Sequence, residues 1–525
     1  MIPFPFQEEV WSAYAHGRSG LVHAPTGMGK TLAAAVPPLA FGPEGAADAP
    51  PPLALLWITP LRALAADTGL ALTLAAKALR PHWTVDVRTG DTASSARARQ
   101  GKRLPTILVT TPESLTLFLA RADWRDRFAH LDAVVVDEWH ELLSTKRGVQ
   151  TELALARLFG MRPALHVWGL SATLSNLDTA VSALVGPARS AEAALIRGND
   201  TKAIVIDSLL PKTIERFPWA GHIGLKLLPG VIRAIENAKT TLVFTNVRSQ
   251  TEIWYQAILA ARPDWAGQIA LHHGSLEREV RDWVEDGLRN ARLRAVVCTS
   301  SLDLGVDFAP VDQVLQIGSP KGVARLLQRA GRSGHQPGAT SRVTVVPAQA
   351  IELVEAAAAR QAAAERMIEA REPVECAQDA LIQHLVTCAL GGGFRPDELR
   401  AEIRGTHAYA ALTDAEWQFA FDFVVHGGAA LNAYPEYRRV TIDDDGIARV
   451  PDAAIARRHR IGIGTIVSEA SITVRFRNGQ ALGHVEEGFI ARLTPGDAFV
   501  FAGRVLELVR VRELTAWVRP AKANA

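Results

Sequence analysis

The sequence predicts an α/β chain of two tandem doubly wound domains, followed by a helical domain and a terminal β module. Three observations predict it. A glycine-bearing loop, Ala24-Pro25-Thr26-Gly27-Met28-Gly29-Lys30-Thr31, stands between the apolar run Leu21-Val22-His23 and an alanine-rich helical stretch, Leu32 to Val36. Compact apolar runs alternate with helical stretches twice over, across residues 1–195 and again across 196–360. Beyond residue 360 three helical segments come first, and period-two alternation takes over after residue 453.

Bulk properties bound the function classes. A chain of 525 residues exceeds one core, so three or four domains are expected. Hydrophobic content of 48% with 21% charged residues is ordinary for a soluble globular protein. No apolar run reaches the length of a membrane span, so no membrane partner is expected. Met1 to Gln7 lacks the basic region and apolar core of a secretory signal. Cys298, Cys376 and Cys388 are odd in number and show no metal-ligand spacing, which fits a reducing cytoplasm. The net charge of +2 means that any surface for a polyanion must be local.

In the first domain the loop at 24–31 has the context of a phosphate cradle: strand before, helix after. Its glycines let backbone N–H groups close around phosphates without a Cβ in the way. Lys30 supplies a point charge for the β and γ phosphates and Thr31 a hydroxyl for Mg²⁺. The first position is Ala24 where the usual pattern has Gly. The runs Leu53–Thr59, Ile107–Thr111, Ala133–Asp137 and His166–Ser171 suit buried parallel strands. Each ends in polar residues, where an open α/β sheet places its ligands. Ala133-Val134-Val135-Val136-Asp137-Glu138-Trp139-His140 delivers two adjacent carboxylates at a strand end. Asp137 is the candidate Mg²⁺ ligand and Glu138 the group that polarises an attacking water. Arg97, Arg99, Lys102 and Arg103 form a basic cluster that reads equally as a solvated loop or a backbone contact.

Asp137-Glu138-Trp139-His140 resembles motif II of the superfamily 2 DExH-box helicases. Glu141-Leu142 and Lys146-Arg147-Gly148 resemble the Lhr (large helicase-related) branch, and within it a ligase-associated DNA-repair group. The resemblance implies two tandem RecA-like P-loop domains, a winged-helix domain and a C-terminal antiparallel β module. It also implies ATP and Mg²⁺ as cofactors, with Thr26, Gly27, Gly29, Lys30 and Thr31 around the nucleotide and Gln7 reading adenine. Thr59-Pro60-Leu61-Arg62, Thr89-Gly90-Asp91 and Thr110-Thr111-Pro112-Glu113-Ser114 resemble the nucleic-acid motifs of the first domain. Arg62, Thr89, Gly90, Thr111, Lys146 and Arg147 are then the implied backbone contacts, of the kind that hold phosphate without reading sequence. Ser171-Ala172-Thr173 resembles motif III, which links the two sites.

In the second domain, strand-like runs recur at 241–244, 269–272, 295–299, 314–317 and 342–346, without a second phosphate loop. Val243 to Ser249 resembles motif IV, implying contacts from Asn246 and Arg248. His272-His273-Gly274-Ser275 reads as a loop near nucleic acid, with His273 the candidate. Thr299 to Asp307 resembles motif V, with Thr299 and Ser300 toward the polymer and Gly305 and Asp307 toward the nucleotide. Gln328-Arg329-Ala330-Gly331-Arg332-Ser333-Gly334-His335 resembles motif VI. There an arginine, Arg332 first and Arg329 second, neutralises the phosphoryl transition state, an effect of roughly 10³- to 10⁵-fold in NTPases that use one.

Residues 351–372 read as a connecting helix. In the third domain, 361–452, helical segments at 379–388, 397–404 and 413–426 precede a hairpin at 437–441 and 447–450, the pattern of a winged helix. In the fourth, 453–525, strands are expected at 472–476, 499–501, 504–509 and 516–518. Gly483 to Glu487 and Pro495-Gly496-Asp497 resemble the fourth domain of Lhr cores. That core continues past this module while the sequence stops at Ala525, so a truncated module is expected. Arg457, Arg458 and Arg460 read equally as a backbone contact or a solvated linker.

The resemblance implies an ATP-dependent 3′-to-5′ helicase or translocase on single-stranded DNA, unwinding DNA–DNA or RNA–DNA duplex in DNA repair, with a DNA ligase or repair nuclease as partner. An RNA helicase of the same superfamily and a non-translocating ATP-gated clamp are the alternatives. No residue pattern reads a 2′-hydroxyl, and the complete hydrolysis motifs, Glu138 and Arg332 included, oppose a clamp.

Overall fold

The computed structural model describes residues 3–44, 50–198, 203–210, 224–303, 311–334, 340–428, 437–464, 471–476, 478–490, 492–512 and 515–521. The chain divides into two compact units, one of residues 1–200 and 370–467, the other of 201–369 and 468–525.

The first unit is built on seven parallel strands: β1 (Gly20–His23), β2 (Leu55–Ile58), β3 (Val85–Arg88), β4 (Ile107–Thr110), β5 (Ala133–Val136), β6 (His166–Ser171) and β7 (Ala194–Arg197). Their order is β3-β4-β2-β5-β6-β1-β7. The runs are short and apolar because both faces are covered. Alternate residues serve the two cores: Leu56, Ile58, Leu108, Val134 and Val136 pack on one side, Leu55, Trp57, Ile107, Val109 and Val135 on the other.

The phosphate-loop helix, Lys30–Phe41, runs through Pro37 and Pro38. Pro37 has no N–H for the carbonyl of Ala33 one turn back. Trp11 Nε1 donates to that carbonyl at 3.2 Å. A side chain thus replaces the missing backbone donor, and the helix keeps its length.

The second unit repeats the design with β8 (Ile204–Ser208), β9 (Thr241–Phe244), β10 (Ile269–His272), β11 (Ala295–Cys298), β12 (Gln313–Ile317) and β13 (Ser341–Val346), all parallel, in the order β10-β11-β9-β12-β13-β8. A helix, Ala350–Ala364, follows. It stops short of the expected 372. Arg366 takes φ 57°. Its N–H donates to Ala363, and that of Met367 to Ala362 at 2.8 Å. That closes the helix as a Schellman turn with arginine in the place glycine usually fills. Residues 367–377 then run without regular structure.

Helices Gln378–Leu390, Pro396–Arg404 and Asp414–His426 return to the first unit. They bury Leu381, Leu385, Leu399, Ile403, Trp417 and Val424 in one core with Val149 and Leu153 of helix Lys146–Met161. Thr413 and Glu416 exchange the two capping bonds anticipated from sequence. The wing contracts to β14 (Thr441–Ile442) and β15 (Ala448–Arg449). The Asp443 side chain accepts from the N–H groups of Asp445 and Ile447, closing the turn early. Residues Ala453–Gly462, expected as linker or contact, form a helix whose N-cap is Asp452.

The terminal module is a five-stranded sheet of β16 (Ser471–Phe476), β17 (Ala481–Glu486), β18 (Ala498–Phe501), β19 (Arg504–Arg512) and β20 (Thr515–Pro520), ordered β17-β16-β20-β19-β18. It is antiparallel except at β16–β20, which pair in parallel. The crossover through the short helix Glu487–Ile490 sends β18 to the far edge, and the return through β19 brings β20 in alongside β16.

Candidate functional site

The strand ends of the first unit share one carboxyl edge. Ala24 N–H donates to Ser171 at 3.0 Å, Asp137 to Ile58 at 2.8 Å and Thr59 to Thr110 at 2.8 Å. That register gathers the phosphate loop, the Asp-Glu pair and the Ser-Ala-Thr loop where an open α/β sheet takes ligands.

Gly27 and Gly29 adopt φ of 86° and 77°, left-handed conformations that favour glycine. A Cβ on Gly29 would lie 2.9 Å from Gln7 Nε2. Lys30 is nearly buried, and its Nζ donates to the carbonyls of Ala24 at 2.7 Å and Pro25 at 3.0 Å. The ammonium is therefore held inside the loop it would share with phosphates. Thr26 and Thr31 are half-buried on the same loop. Gln7 is buried; its Oε1 accepts from Phe4 N–H and its Nε2 donates to Gly29 O at 3.0 Å. One amide hydrogen and one lone pair are left for a base. Its first task here is to tie the N-terminal helix to the phosphate loop.

Asp137 and Glu138 are both buried. Trp57 Nε1 donates to Asp137 Oδ2 at 3.2 Å, and Glu138 N–H to Asp137 Oδ1 at 2.9 Å. Burial, and then the neighbouring Glu138 charge, push Asp137 up to about 7, against Trp57 and Lys30. Glu138 sits at φ 47°, a strained setting for a side chain of its kind. Its Oε2 has no hydrogen bond and stands 3.6 Å from His140 Nδ1. Burial lowers His140 to about 4, and burial with Lys30 and Arg197 lowers His23 to about 4, so both rings are neutral near pH 7. The arrangement holds two acidic groups, one cation and an unbonded carboxylate oxygen on one edge. Hard oxygen donors from Asp137 and Thr31 fit Mg²⁺, which takes one or two carboxylates together with substrate phosphates. Bound there, the ion would neutralise phosphate charge and draw the Asp137 proton off.

The implied nucleic-acid residues of this unit divide into two groups. Arg62 opens helix Arg62–Leu79 and is 59% exposed, with its guanidinium 2.7 Å from Asp91. Gly90 lies beneath it, since a Cβ there would meet the guanidinium at 2.9 Å. Arg62, Thr89, Gly90 and Asp91 therefore form one corner. Of the basic cluster, Arg99 pairs with Asp86 and Arg97 bonds the carbonyls of Thr92 and Gly90. Lys146 pairs with Asp379 at the surface. Arg147 and Thr111 point elsewhere. Arg147 Nε donates to Glu113 Oε1 at 2.5 Å, its Nη2 to Oε2 at 3.2 Å and its Nη1 to Pro60 O at 2.6 Å. Burial would raise Glu113, yet Arg147 holds it below the usual carboxylate range. Arg147 is thus a structural tie between two loops, and its expected polymer contact is corrected on that ground. The buried Thr111 hydroxyl is bonded to Ser114, so its side chain offers the polymer nothing; the N-terminus of helix Pro112–Leu119 remains.

In the second unit, Asn246 donates to Ser319 O at 2.6 Å and Arg248 to Ser275 Oγ at 2.6 Å. Thr299 is half-buried and Ser300 exposed. His273 is corrected. It is 1% exposed, with Nε2 3.2 Å from Glu252 Oε1. The same carboxylate accepts from the N–H groups of Ala502 and Gly503 on the terminal sheet. Histidine and glutamate thus join that sheet to the domain, a role invisible in sequence because the partners lie more than 200 residues apart.

Arg329 is also corrected. It is 1% exposed, with Nε and Nη2 on the two Asp303 oxygens at 2.7 and 3.1 Å, Nη1 on Gln316, and its guanidinium 4.6 Å from the Phe244 ring centroid. That is a buried structural fork. Arg332 lies in the next turn, with Nε and Nη2 donating to the Asp303 carbonyl at 3.2 and 2.8 Å. Gly305, Asp307 and His335 lie outside the described residues.

Sequence reading missed one basic feature. A cavity of about 490 Å³ in the helical domain is lined by Phe423, Tyr437, Arg439, Arg458 and His459, among others. Among the described residues neither guanidinium has a hydrogen-bond acceptor, and burial with Arg458 lowers Arg439. The Arg457–Arg460 cluster was the available signal, but Phe423 comes from helix Asp414–His426 and Arg439 from the irregular stretch before β14.

Three family models match the chain: a DEAD/DEAH box helicase domain over residues 4–180, a helicase conserved C-terminal domain over 225–336, and the winged helix domain of large helicase-related protein over 361–525. The chain is 33% identical to an ATP-dependent helicase Lhr-Core of Methanothermobacter thermautotrophicus, over 96% of its own length and 60% of that protein's. It is 32% identical to one of Sulfolobus acidocaldarius, over 94% and 57%. The structure of Mycobacterium smegmatis helicase Lhr bound to ssDNA and AMP-PNP superposes with a TM-score of 0.77 at 31% identity, covering 89% of this chain and 61% of that one. The chain thus spans about 60% of the length of the relatives it matches.

Proposed function

We propose, on the premise that the chain belongs to the large helicase-related (Lhr) family of DEAD/DEAH-box helicases, that it is an ATP-dependent helicase core. It hydrolyses ATP to move 3′-to-5′ on single-stranded DNA and separates DNA–DNA or RNA–DNA duplex during DNA repair in the cytoplasm. The observation that carries this reading is the convergence of Lys30, Asp137 and the unbonded Glu138 oxygen on one strand edge. The relative bound to ssDNA and AMP-PNP supports both ligands. Among the described residues no helix is long and apolar enough to cross a membrane.

In the proposed mechanism the loop N–H groups and Lys30 would hold the phosphate chain, and Asp137 with Thr31 would hold Mg²⁺, which would supply charge neutralisation. Glu138 accepts the proton of the attacking water, which its unbonded oxygen is placed to do without first breaking a strong bond. Arg332 of the second unit supplies the charge that answers the phosphoryl transition state. Arg62, Lys146, Asn246, Arg248, Thr299 and Ser300 hold phosphates of the strand. Such contacts carry no base information, so movement is independent of sequence. A DNA ligase or repair nuclease is the proposed partner.

The test compares Lys30→Ala and Glu138→Gln for ATP turnover with DNA, with RNA and without polymer. Lys30→Ala should abolish turnover. Glu138→Gln should bind ATP and stall. Near wild-type turnover in Glu138→Gln would overturn the assignment, and stimulation by RNA alone would redirect it to an RNA helicase.

A further inference from the structure

Trp57 belongs to no motif, yet its indole reaches the candidate nucleotide site. The parallel pairing of β2 with β5 sets Trp57 opposite Val135. Side chains alternate along a strand, so Asp137 projects to the same face as Val135. Trp57 and Val135 pack in one core. The indole spans the diagonal from one strand to the next, and its Nε1 donates to Asp137 Oδ2 at 3.2 Å. Trp57 is fully buried and Asp137 is 6% exposed, so little water competes for the bond.

Packing alone does not call for this bond. Trp168, on β6 and in the same core, is as deeply buried, and among the described residues its Nε1 has no hydrogen-bond partner. Trp11, Trp124 and Trp139 donate to backbone carbonyls. Trp57 donates instead to the carboxylate assigned to Mg²⁺. With Glu138 N–H on Oδ1 at 2.9 Å, each Asp137 oxygen holds one donor and keeps a lone pair for a cation. A carboxyl group turns easily about its last torsion, whose wells are broad. Donors on both oxygens stop that rotation. The indole carries no charge, so it orients the carboxylate without neutralising the anion that a cation needs.

We propose that Trp57 is a positioning residue for the divalent cation: its N–H fixes the Asp137 carboxylate in the orientation that receives Mg²⁺ beside the nucleotide phosphates. The inference rests on the nucleotide-site reading above and adds a residue that acts on the cation through Asp137, not on the nucleotide. Removing a donor that orients a metal ligand typically costs about 10- to 100-fold in metal affinity. The loss falls on the cation-dependent part of nucleotide binding. The part made by Lys30 and the loop N–H groups stays.

Two variants of the full chain separate the bond from the packing. Trp57→Phe keeps a large ring and deletes the donor. Trp57→His deletes the benzo ring and keeps an N–H at the ring position where the indole has its own. The larger cavity makes Trp57→His the less stable of the two, so stability and donor rank the variants oppositely. Thermal melting records that order and selects a temperature at which all are folded. Anisotropy of a fluorescent, non-hydrolysable ATP analogue is then measured in EDTA and across free Mg²⁺ concentrations. In EDTA both variants should bind within about twofold of wild type, because Lys30 and the loop N–H groups are untouched. The half-saturating Mg²⁺ concentration should rise about tenfold or more in Trp57→Phe and stay within about threefold of wild type in Trp57→His. Added to Asp137→Ala, Trp57→Phe should remove no further Mg²⁺-dependent affinity, because the carboxylate it orients is gone. Unchanged Mg²⁺ dependence in Trp57→Phe, a greater loss in Trp57→His, equal losses in EDTA and in Mg²⁺, or an additive loss over Asp137→Ala would each overturn the proposal. A wild-type chain whose affinity for the analogue does not respond to Mg²⁺ would instead overturn the nucleotide-site reading itself.

Discussion

Replacing Arg329 separates the two arginines that sequence alone ranks by habit. In Arg329→Met the Asp303 carboxylate, itself 4% exposed, loses bonds at 2.7 and 3.1 Å. Among the described residues the other cation paired with it is Arg325, at 3.8 Å. Breaking a buried pair from one side costs about 3–5 kcal/mol, because the surviving charge stays desolvated. The lost stacking on Phe244 adds about 1 kcal/mol. Arg329→Lys keeps the charge and loses the fork, so one charge-assisted bond goes, at about 2 kcal/mol. Adding Asp303→Asn to Arg329→Met removes the stranded charge, so the double variant should be more stable than Arg329→Met by about 2 kcal/mol. Urea unfolding followed by tryptophan fluorescence reads these differences, and steady-state ATP hydrolysis is measured where Arg329→Lys is folded. Turnover there should stay within about tenfold of wild type, against a loss of roughly 10³-fold or more for Arg332→Ala. The reasoning fails if Arg329→Lys unfolds at the wild-type urea concentration yet loses turnover by roughly 10³-fold. Arg329 would then be the transition-state residue and its buried pairing incidental.

Two further outcomes follow from buried and exposed charge. Burial, with a smaller push from the Glu375 charge, raises Glu152 to about 8 against the N–H groups of Ala408, which donates to Oε2 at 2.8 Å, and of His407. A carboxyl raised in the fold contributes stability below its unfolded value and loses it as pH climbs through the folded one. Wild-type stability relative to Glu152→Gln should therefore fall between about pH 4.5 and 8, by at most about 1.4 kcal/mol per pH unit, and then level off; thermal melts across pH 5–9 check this, and a pH-independent difference refutes it. Arg62→Ala should weaken binding to every single strand alike and make the slope of log affinity against log salt shallower by about one or less; fluorescence anisotropy with several oligonucleotides tests it, and a reordering of their affinities at unchanged slope would mean that Arg62 reads bases.

The local signals determined the architecture because they are self-contained. A phosphate loop needs its glycines, lysine and flanking strand and helix within a dozen residues, and a buried parallel strand announces itself as an unbroken apolar run. That Lys30, Asp137 and Glu138 stand at the carboxyl ends of their strands was therefore legible in the sequence. The same holds for the capping pair Thr413 and Glu416, whose bonds span three residues. What a polar side chain does with its donors is not local. Arg147, Arg329 and His273 look, in sequence, like hands held out to a ligand; in the structure they grip Glu113, Asp303 and Glu252. A buried charge must find an opposite partner or lose its ionisation, and folding alone decides which partner arrives. The terminal sheet shows the same limit for backbone, since alternation predicts strands but not that β16 meets β20 in parallel. Residues 367–372 read in sequence as the end of a helix, yet they run irregular and hold Glu369 and Arg371. Their placement was settled by orphan N–H groups at a helix end and by Asn176, contacts reaching 45 to 195 residues along the chain.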